Sequence, residues 1–393
     1  MSYLNTAFTD TGFLFGFCLL VSLPTFLFHF MFPNEDGGAS IFFVSIIAIL
    51  IAPSFTLHFR RAISSVFKAG LFYHIAFWVY AGLSLLWTNN VQYGRDKFLL
   101  GLALSLIPGL ALVVSYSIFK RFSMRPFMFL CMLYIILSLS FAESPTTQRW
   151  TGLSGNPIWM SRDALLVIPA CFYATKISLS ARTVLSITSL MTAISTGSRG
   201  PLLSCFFAVF ITSLVQKRIA AKHVVLFIVI AVLSFPTFYF LANFGNLTAL
   251  QNVDRITSFS SLLFDTARQN EMPFQNTYSR YLLFAIAIDK FESNPIFGTG
   301  LGGFSNSGRS YPHNLLLEIF CELGLFGALL FLVALLKSLK GLSKEPFLLC
   351  MLIQCFLYSL VSGDLASNWQ FFHVSFLSAI VLVSNKRKNV IAL

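Results

Sequence analysis

Charged residues are scarce in this sequence. Asp, Glu, Lys and Arg make up 11% of the 393 residues, whereas hydrophobic residues make up 56%. A soluble globular domain carries about 25% charged residues, so the composition excludes an ordinary soluble fold. The apolar residues form long runs, and a bilayer-spanning helix needs roughly 20 of them. These runs lack the period-two alternation of transmembrane barrel strands. The sequence therefore predicts an all-α, polytopic integral membrane protein.

Cysteine is also sparse, and its placement argues against metal and disulfide chemistry. The seven cysteines fall inside apolar runs, and none has the spacing of a metal site. Met1 to Asp10 lacks the basic segment of a cleaved signal peptide. We therefore expect the first helix to remain as an anchor, and we expect neither zinc nor disulfides.

The apolar runs predict about twelve spans in a single transmembrane domain over residues 1–393. Their expected positions are 12–32, 40–58, 69–87, 98–118, 127–142, 158–175, 183–197, 201–216, 224–242, 314–336, 347–363 and 370–384. Alternate connections carry most of the 27 basic residues. These clusters are Arg60, Arg61 and Lys68; Lys120, Arg121 and Arg125; Lys176 and Arg182; Lys217, Arg218 and Lys222; Lys337, Lys340 and Lys344; and Lys386, Arg387 and Lys388.

The positive-inside rule predicts that these basic connections and both termini are cytoplasmic. The net charge of +12 is then an orientation signal rather than a sign of nucleic-acid binding. The long connection 243–312 lies on the opposite, periplasmic side in this topology. Loops of this length are usually functional.

Two arginine-bearing stretches stand out on the outer side. Arg199 lies in the hairpin Thr196–Leu203, where it either anchors a helix end by snorkelling or presents a guanidinium fork to phosphate. Arg149 precedes the turn Trp150–Pro157, and Arg162 follows one helical turn into the next span. Arg162 and its neighbour Asp163 either pair with other helices or contribute to a basic site near the interface.

The long outer connection carries further candidates. Arg280 opens an amphipathic stretch that ends near Phe291 and resembles a helix lying along the membrane interface. Its side chain is either structural or faces a cavity. Arg309 lies near the end of the same connection.

A glycine-rich turn, Asn294–Gly303, precedes His313 and the next span. It follows no strand of a βαβ unit, so a dinucleotide-binding reading fails. His313 lies at a predicted helix start, where backbone N–H groups favour anions. Glu318 and Glu322 share one helix face, and we expect them to face the interior and pair with arginines.

These stretches resemble the O-antigen ligase and polymerase family of bacterial membrane enzymes. The family motif is His, then Asn, Ser or Gln, nine residues, Gly, two residues, then Gly, Thr or Tyr. His313-Asn314, the nine residues through Leu323, Gly324 and Gly327 match it in full. The Asn294–Gly300 turn, Arg280 and the Arg199 hairpin also resemble elements of the family.

The resemblance implies a GT-C-like glycosyltransferase architecture with one large periplasmic loop. It further implies metal-independent transfer, without a cofactor, of a glycan from an undecaprenyl diphosphate carrier. The acceptor is a sugar hydroxyl on lipid A-core for a ligase, or on another lipid-linked repeat for a polymerase. His313 is the expected base or phosphate ligand, and Arg199 and Arg280 are expected to stabilise the departing diphosphate. The expected substrate-binding residues are Arg149, Arg162, Arg309, Asn314 and Glu318.

A second class of function is a flippase for lipid-linked sugars. Such transporters more often show internal repeats and charges spread through several spans. Here the unusual polar residues cluster around one outer loop, which favours an enzyme of the bacterial inner membrane.

Overall fold

The computed structural model describes residues 11–31, 43–47, 64, 71–120, 122–141, 150–174, 177–216, 272–307, 311–340 and 342–391. These residues form helices, turns and loops without a strand. The α-helices are α1 Thr11–Leu19, α2 Ser22–Met31, α3 Phe72–Leu83, α4 Val91–Gly101, α5 Ile107–Phe119, α6 Met124–Ser140, α7 Pro157–Leu165, α8 Val167–Tyr173, α9 Leu179–Ser195, α10 Arg199–Val215, α11 Met272–Ser293, α12 Leu315–Leu339, α13 Pro346–Ser359 and α14 Trp369–Ile391. The all-α prediction agrees with this architecture.

Side-chain caps fix several helix starts. The Asn90 side chain accepts a hydrogen bond from the Tyr93 amide and begins α4. The Asn156 side chain accepts one from the Ile158 amide, and Pro157 occupies the first turn of α7. Both arrangements satisfy N–H groups that a helix start otherwise leaves without partners.

A π-helical turn, Leu102–Leu106, joins α4 to α5. His373 Nε2 donates to the Leu104 carbonyl in this turn over 2.6 Å. A π-turn frees a carbonyl from the regular helical ladder, and the histidine side chain supplies its partner.

Helix α14 forms the centre of the bundle. Every side chain from Trp369 to Val381 is buried, which is expected of a helix surrounded by other helices. Phe376 packs against Gly109 of α5, and the rings of Phe331 in α12 and Phe371 lie 5.5 Å apart. The core therefore surrounds the C-terminal helix.

Side chains at the outer surface are largely apolar. In α12, Leu325, Leu329, Leu332 and Leu336 form an exposed stripe, and α10 exposes Phe207 and Leu214 among others. In the described part of the chain, Val91–Phe119 and the apolar helical stretch that begins at Leu315 have the length and composition to cross a bilayer. This surface is compatible with a membrane protein.

Residues within or beside four of the six basic connections lie together at one end of the bundle. Three contacts join them: Lys337 Nζ lies 5.9 Å from the centre of the Tyr73 ring, the Phe122 and Phe347 rings lie 5.8 Å apart, and Gln216 Nε2 donates to the Ser343 carbonyl. The starts of α10 and α12 lie at the opposite end, beside Leu360 and Val361. The alternation of connections predicted from charge therefore agrees with the packing of these helices.

Most described helices begin and end near the predicted spans. The run 98–118 corresponds to Val91–Phe119 and the run 314–336 to Leu315–Leu339. The predicted span 12–32 is instead divided between α1 and α2. The span 224–242 and most of 40–58 lie outside the described residues, so the count of twelve stays a prediction.

Candidate functional site

Helix α12 is broken at Gly324. Its backbone there has φ 65° and ψ −168°, far from helical values. The break separates a short half-helix, Leu315–Leu323, from the longer remainder of α12. A break of this kind leaves carbonyl groups before it and N–H groups after it without helical partners.

The glycine-rich turn between Pro295 and Gly300 inserts into this break. Four backbone hydrogen bonds join the two segments: Thr299 to the Cys321 carbonyl (2.9 Å), Gly300 to the Glu322 carbonyl (2.9 Å), Leu325 to the Pro295 carbonyl (2.8 Å) and Phe326 to the Ile296 carbonyl (3.1 Å). The Tyr80 hydroxyl lies 3.1 Å from both the Leu323 and the Phe297 carbonyl. The turn and the tyrosine thus replace the helical hydrogen bonds.

Glycine is required at the break for two reasons. A positive φ near 65° disfavours side chains with a Cβ. A Cβ added to Gly324 would also overlap the Ile296 carbonyl oxygen and lie 2.5 Å from the Gly298 nitrogen. The first glycine of the family motif is therefore the residue at which the turn and the helix interlock.

The start of α12 carries His313 and Asn314. The Asn314 side chain accepts from the Leu317 amide over 3.1 Å and donates to the Leu360 carbonyl over 3.0 Å. His313 has φ 57°, an uncommon conformation for a residue with a side chain. Its ring lies 4.5 Å from the Tyr311 ring in an edge-to-face arrangement. The imidazole therefore lies directly before a capped helix N-terminus.

Tyr311 lies in an acidic environment. Burial, reinforced by the carboxylates of Asp364 and Glu318, raises the pKa of its phenol. The hydroxyl therefore remains protonated beside His313 throughout the physiological range.

The acidic residues of α12 form a buried ion cluster with Lys97 of α4. Lys97 Nζ lies 2.7 Å from Glu322 Oε2 and also contacts Glu318 Oε1. All three side chains are at most 2% exposed. The interior position predicted for the two glutamates agrees with this, but the prediction of arginine partners is wrong. Their partner among the described residues is a lysine from the first half of the chain.

Arg162 is fully buried and binds the connection between α13 and α14. It donates to the Tyr358 and Ser362 carbonyls over 2.7 Å and to the Asn368 side chain over 3.1 Å. Asp163 points elsewhere, accepting from Ser22 and Gln370. These contacts agree with the alternative in which Arg162 and Asp163 bind other parts of the bundle.

Arg199 is the first residue of α10. A Cβ added to the next residue, Gly200, would lie 3.0 Å from Val361. The start of α10 thus packs beside Leu360, which also binds Asn314, and beside Ser362, which binds Arg162. The segment Leu360–Ser362 brings the Arg199 hairpin, the His313 motif and Arg162 to one end of the bundle.

Arg280 lies in α11, and its side chain is exposed. This helix begins at Met272, before the predicted start at Arg280. One turn further along, Leu283 and Ala287 pack against Cys321 of the half-helix and Phe304. Arg280 therefore extends the face of α11 that covers the half-helix. Arg149 and Arg309 lie outside the described residues.

Sequence reasoning missed Lys97 and Tyr80 as contributors to this region. Lys97 directly precedes the predicted span 98–118, so it resembled an ordinary charged residue at a helix end. The burial of Lys97 is not evident from the sequence. Helix α4 begins at Val91, so Lys97 lies six residues inside it rather than at its end.

Comparison with known families supports the motif reading. Residues 184–332 match the family model described as O-antigen ligase. The match covers Arg199, Arg280, His313 and the break at Gly324, so the family resemblance inferred from the sequence is confirmed. The curated proteins include no match to this chain.

Proposed function

We propose that this protein, whose residues 184–332 belong to the O-antigen ligase family, transfers a glycan from a lipid diphosphate carrier to a sugar hydroxyl. The observation that carries the proposal is the His313 motif, held before a capped half-helix at the end of the bundle that also bears the Arg199 hairpin. The donor is an undecaprenyl diphosphate-linked O-antigen-type glycan. The acceptor is lipid A-core, at the periplasmic face of the inner membrane.

The proposed chemistry is a displacement at the anomeric carbon. The acceptor hydroxyl attacks this carbon and forms the new glycosidic bond, while the bond from the carbon to the diphosphate oxygen breaks. His313, as a neutral imidazole, takes the hydroxyl proton. The electron pair leaves with the diphosphate, whose growing negative charge requires cations.

Arg199 and Arg280 supply these cations in the proposal. A guanidinium presents paired N–H donors that match phosphate oxygens, and one arginine alone would leave part of a diphosphate charge unbalanced in a low-dielectric site. The helix N-terminus at Asn314 adds backbone N–H groups that favour an anion. In this scheme the protein's own cations stabilise the leaving group, and transfer is metal-independent.

Other arginines and polar groups are proposed to bind the two substrates. Among them, Arg162 and Asn314 both contact the Leu360–Ser362 segment. Arg162 and Glu318 are buried and bound to protein partners, so their contribution is to shape the site wall rather than to touch a substrate. Arg149 and Arg309 keep this role as proposals from the sequence.

A polymerase is the second candidate, because it would use the same donor and the same cations with a lipid-linked repeat as acceptor. The glycolipids of a deletion strain separate the two functions. Long carrier-linked chains with bare lipid A-core indicate a ligase, and lipid A-core carrying a single repeat indicates a polymerase. A glycolipid profile identical to that of the parent strain would refute both, and complementation with the His313→Ala variant tests the site.

A further inference from the structure

Lys97 connects the half-helix to a part of the chain that lies outside residues 184–332. It is 4% exposed, and its single ammonium group bridges Glu318 and Glu322. The two carboxylates are four residues apart, so they occupy adjacent turns on one face of the half-helix. A contact that spans two turns fixes the rotation of the half-helix about its own axis as well as its distance from α4.

The half-helix needs such an external contact. It spans Leu315–Leu323, and helices shorter than about 12 residues have little stability of their own. The break at Gly324 uncouples it from the remainder of α12. Its orientation is therefore set by tertiary contacts, and those contacts also set the position of His313 immediately before it.

The region around α4 also supports the glycine-rich turn. The Ser84 hydroxyl accepts from the Leu301 amide over 3.0 Å, and Asn90 donates to the Ser305 hydroxyl over 2.8 Å. The Phe304 amide approaches Glu322 Oε1 at 3.4 Å. Residues 84–101 thus contact both the half-helix and the segment Leu301–Ser305 at the end of the turn, and Lys97 supplies the charged contact.

We propose that Lys97 is a positioning residue for glycan transfer, which orients the half-helix Leu315–Leu323 and thereby His313. This proposal rests on the proposed function. Lys97 acts through Glu318 and Glu322 and does not touch the substrate.

The test compares purified Lys97→Met, Lys97→Met/Glu322→Gln and Arg95→Met with the wild type. The single Lys97 variant leaves two buried carboxylates without a cation, which destabilises the fold. The double variant removes one of those carboxylates, so it should recover part of the lost stability while still lacking the tether. Arg95 is the matched control, since it is an exposed cation on the same helix whose ion-pair partner among the described residues is the adjacent Asp96.

Two measurements are made on each protein. The first is kcat and KM with a lipid-linked glycan donor, and the second is amide hydrogen exchange of residues 311–323. We expect both Lys97 variants to lose about tenfold or more in kcat, because small misplacements of catalytic groups are costly. We expect donor KM to change little and exchange of the half-helix to rise. Arg95→Met should match the wild type in every measurement.

A double variant with wild-type stability, kcat and exchange would overturn the proposal, because it would show that Lys97 only balances charge. A Lys97→Met variant that fails to fold leaves this decision to the double variant. The exchange measurement is independent of activity. If the wild type transfers no glycan, the proposed function fails, while a rise in exchange still supports the positioning of the half-helix.

Discussion

At the scale of single residues, His313 combines an uncommon backbone conformation with a reactive side chain. Its φ of 57° costs about 1–2 kcal/mol for a residue with a Cβ. Strain of this kind persists where the surrounding structure holds it, and it is frequent at functional sites. Here the Tyr311 ring and the capping residue Asn314 flank the histidine on either side. A residue that replaces His313 must therefore tolerate a positive φ.

His313→Asn separates the backbone requirement from the imidazole. Asparagine adopts positive φ more readily than most residues, so the variant should fold and accumulate as the wild type does. Loss of a general base costs about 10²–10⁴-fold in rate, and we expect kcat to fall within that range. The measurement is steady-state kcat with a saturating lipid-linked donor. Retention of wild-type kcat in the folded variant would remove His313 from the chemistry.

Replacement of Arg199 or Arg280 by Lys tests the guanidinium forks. Lysine keeps the positive charge but cannot bind two phosphate oxygens in a plane, and a charge-assisted hydrogen bond contributes about 1.5–3 kcal/mol. We expect transfer to fall by about tenfold or more, measured with the same donor assay. Arg95→Lys, at an exposed position, should leave the rate unchanged. Full activity in both variants would mean that these arginines have only structural roles.

Some of the site residues could be predicted from the sequence. His313, Asn314 and the glycines follow a local motif, so their sequence spacing already indicates their proximity. The pairing of Lys97 with Glu318 and Glu322 joins residues more than 200 positions apart, and no local pattern encodes such a contact. The contacts of Arg162 with carbonyls of the α13–α14 connection are equally non-local.

At the scale of elements, the interlocked helix break is the feature that organises the site. The apolar run from Leu315 onwards predicts a continuous helix, since Gly324 and Gly327 are small residues within a hydrophobic pattern. The break requires a partner turn with exposed carbonyl and N–H groups, and that partner lies in a separate segment. Similarly, the π-turn at Leu102–Leu106 depends on His373 from α14. Hydrophobic runs thus predict where helices lie but not where tertiary contacts interrupt them.

Gly324→Ala should destabilise the protein more than Gly155→Ala. Gly155 is in the left-handed α region (φ 61°, ψ 1°), where alanine costs about 1–2 kcal/mol of backbone strain. Gly324 (φ 65°, ψ −168°) lies in a region essentially restricted to glycine, where the strain is about 1–3 kcal/mol. A Cβ at position 155 meets nothing within 4 Å, whereas one at 324 overlaps the inserted turn. Overpacking of this kind adds about 1–3 kcal/mol. Thermal unfolding in detergent, followed by intrinsic fluorescence, measures the difference.

Equal losses of thermal stability in the two glycine variants would contradict the interlocked arrangement. The transfer assay adds a second distinction. Gly324→Ala displaces the turn that orients the half-helix, so kcat should fall in the fraction that remains folded. A Cβ added at Gly155 meets no atom within 4 Å, so Gly155→Ala should retain its kcat.

At the scale of the whole molecule, the two kinds of connection lie at opposite ends of the bundle. Residues beside four of the six basic connections meet around Lys337, Phe347 and Ser343, and the site residues gather near Leu360. Charge alternation along the chain predicted this separation, because each span reverses the direction of the chain. From the sign of the charge, the positive-inside rule predicts that the basic end is cytoplasmic and that the Leu360 end is periplasmic.

Labelling from one side of the membrane tests this orientation, with Ser293→Cys at the site end and Ser343→Cys at the basic end. Both serines are exposed, whereas the seven native cysteines are free and buried, so a charged, membrane-impermeant maleimide should react only with the introduced thiol. We expect labelling of Ser293→Cys in intact cells with a permeabilised outer membrane, and labelling of Ser343→Cys only after the inner membrane is opened. The wild-type protein measures the background. The reverse pattern would invert the topology, and a periplasmic site would then be untenable because the His313 end would face the cytoplasm.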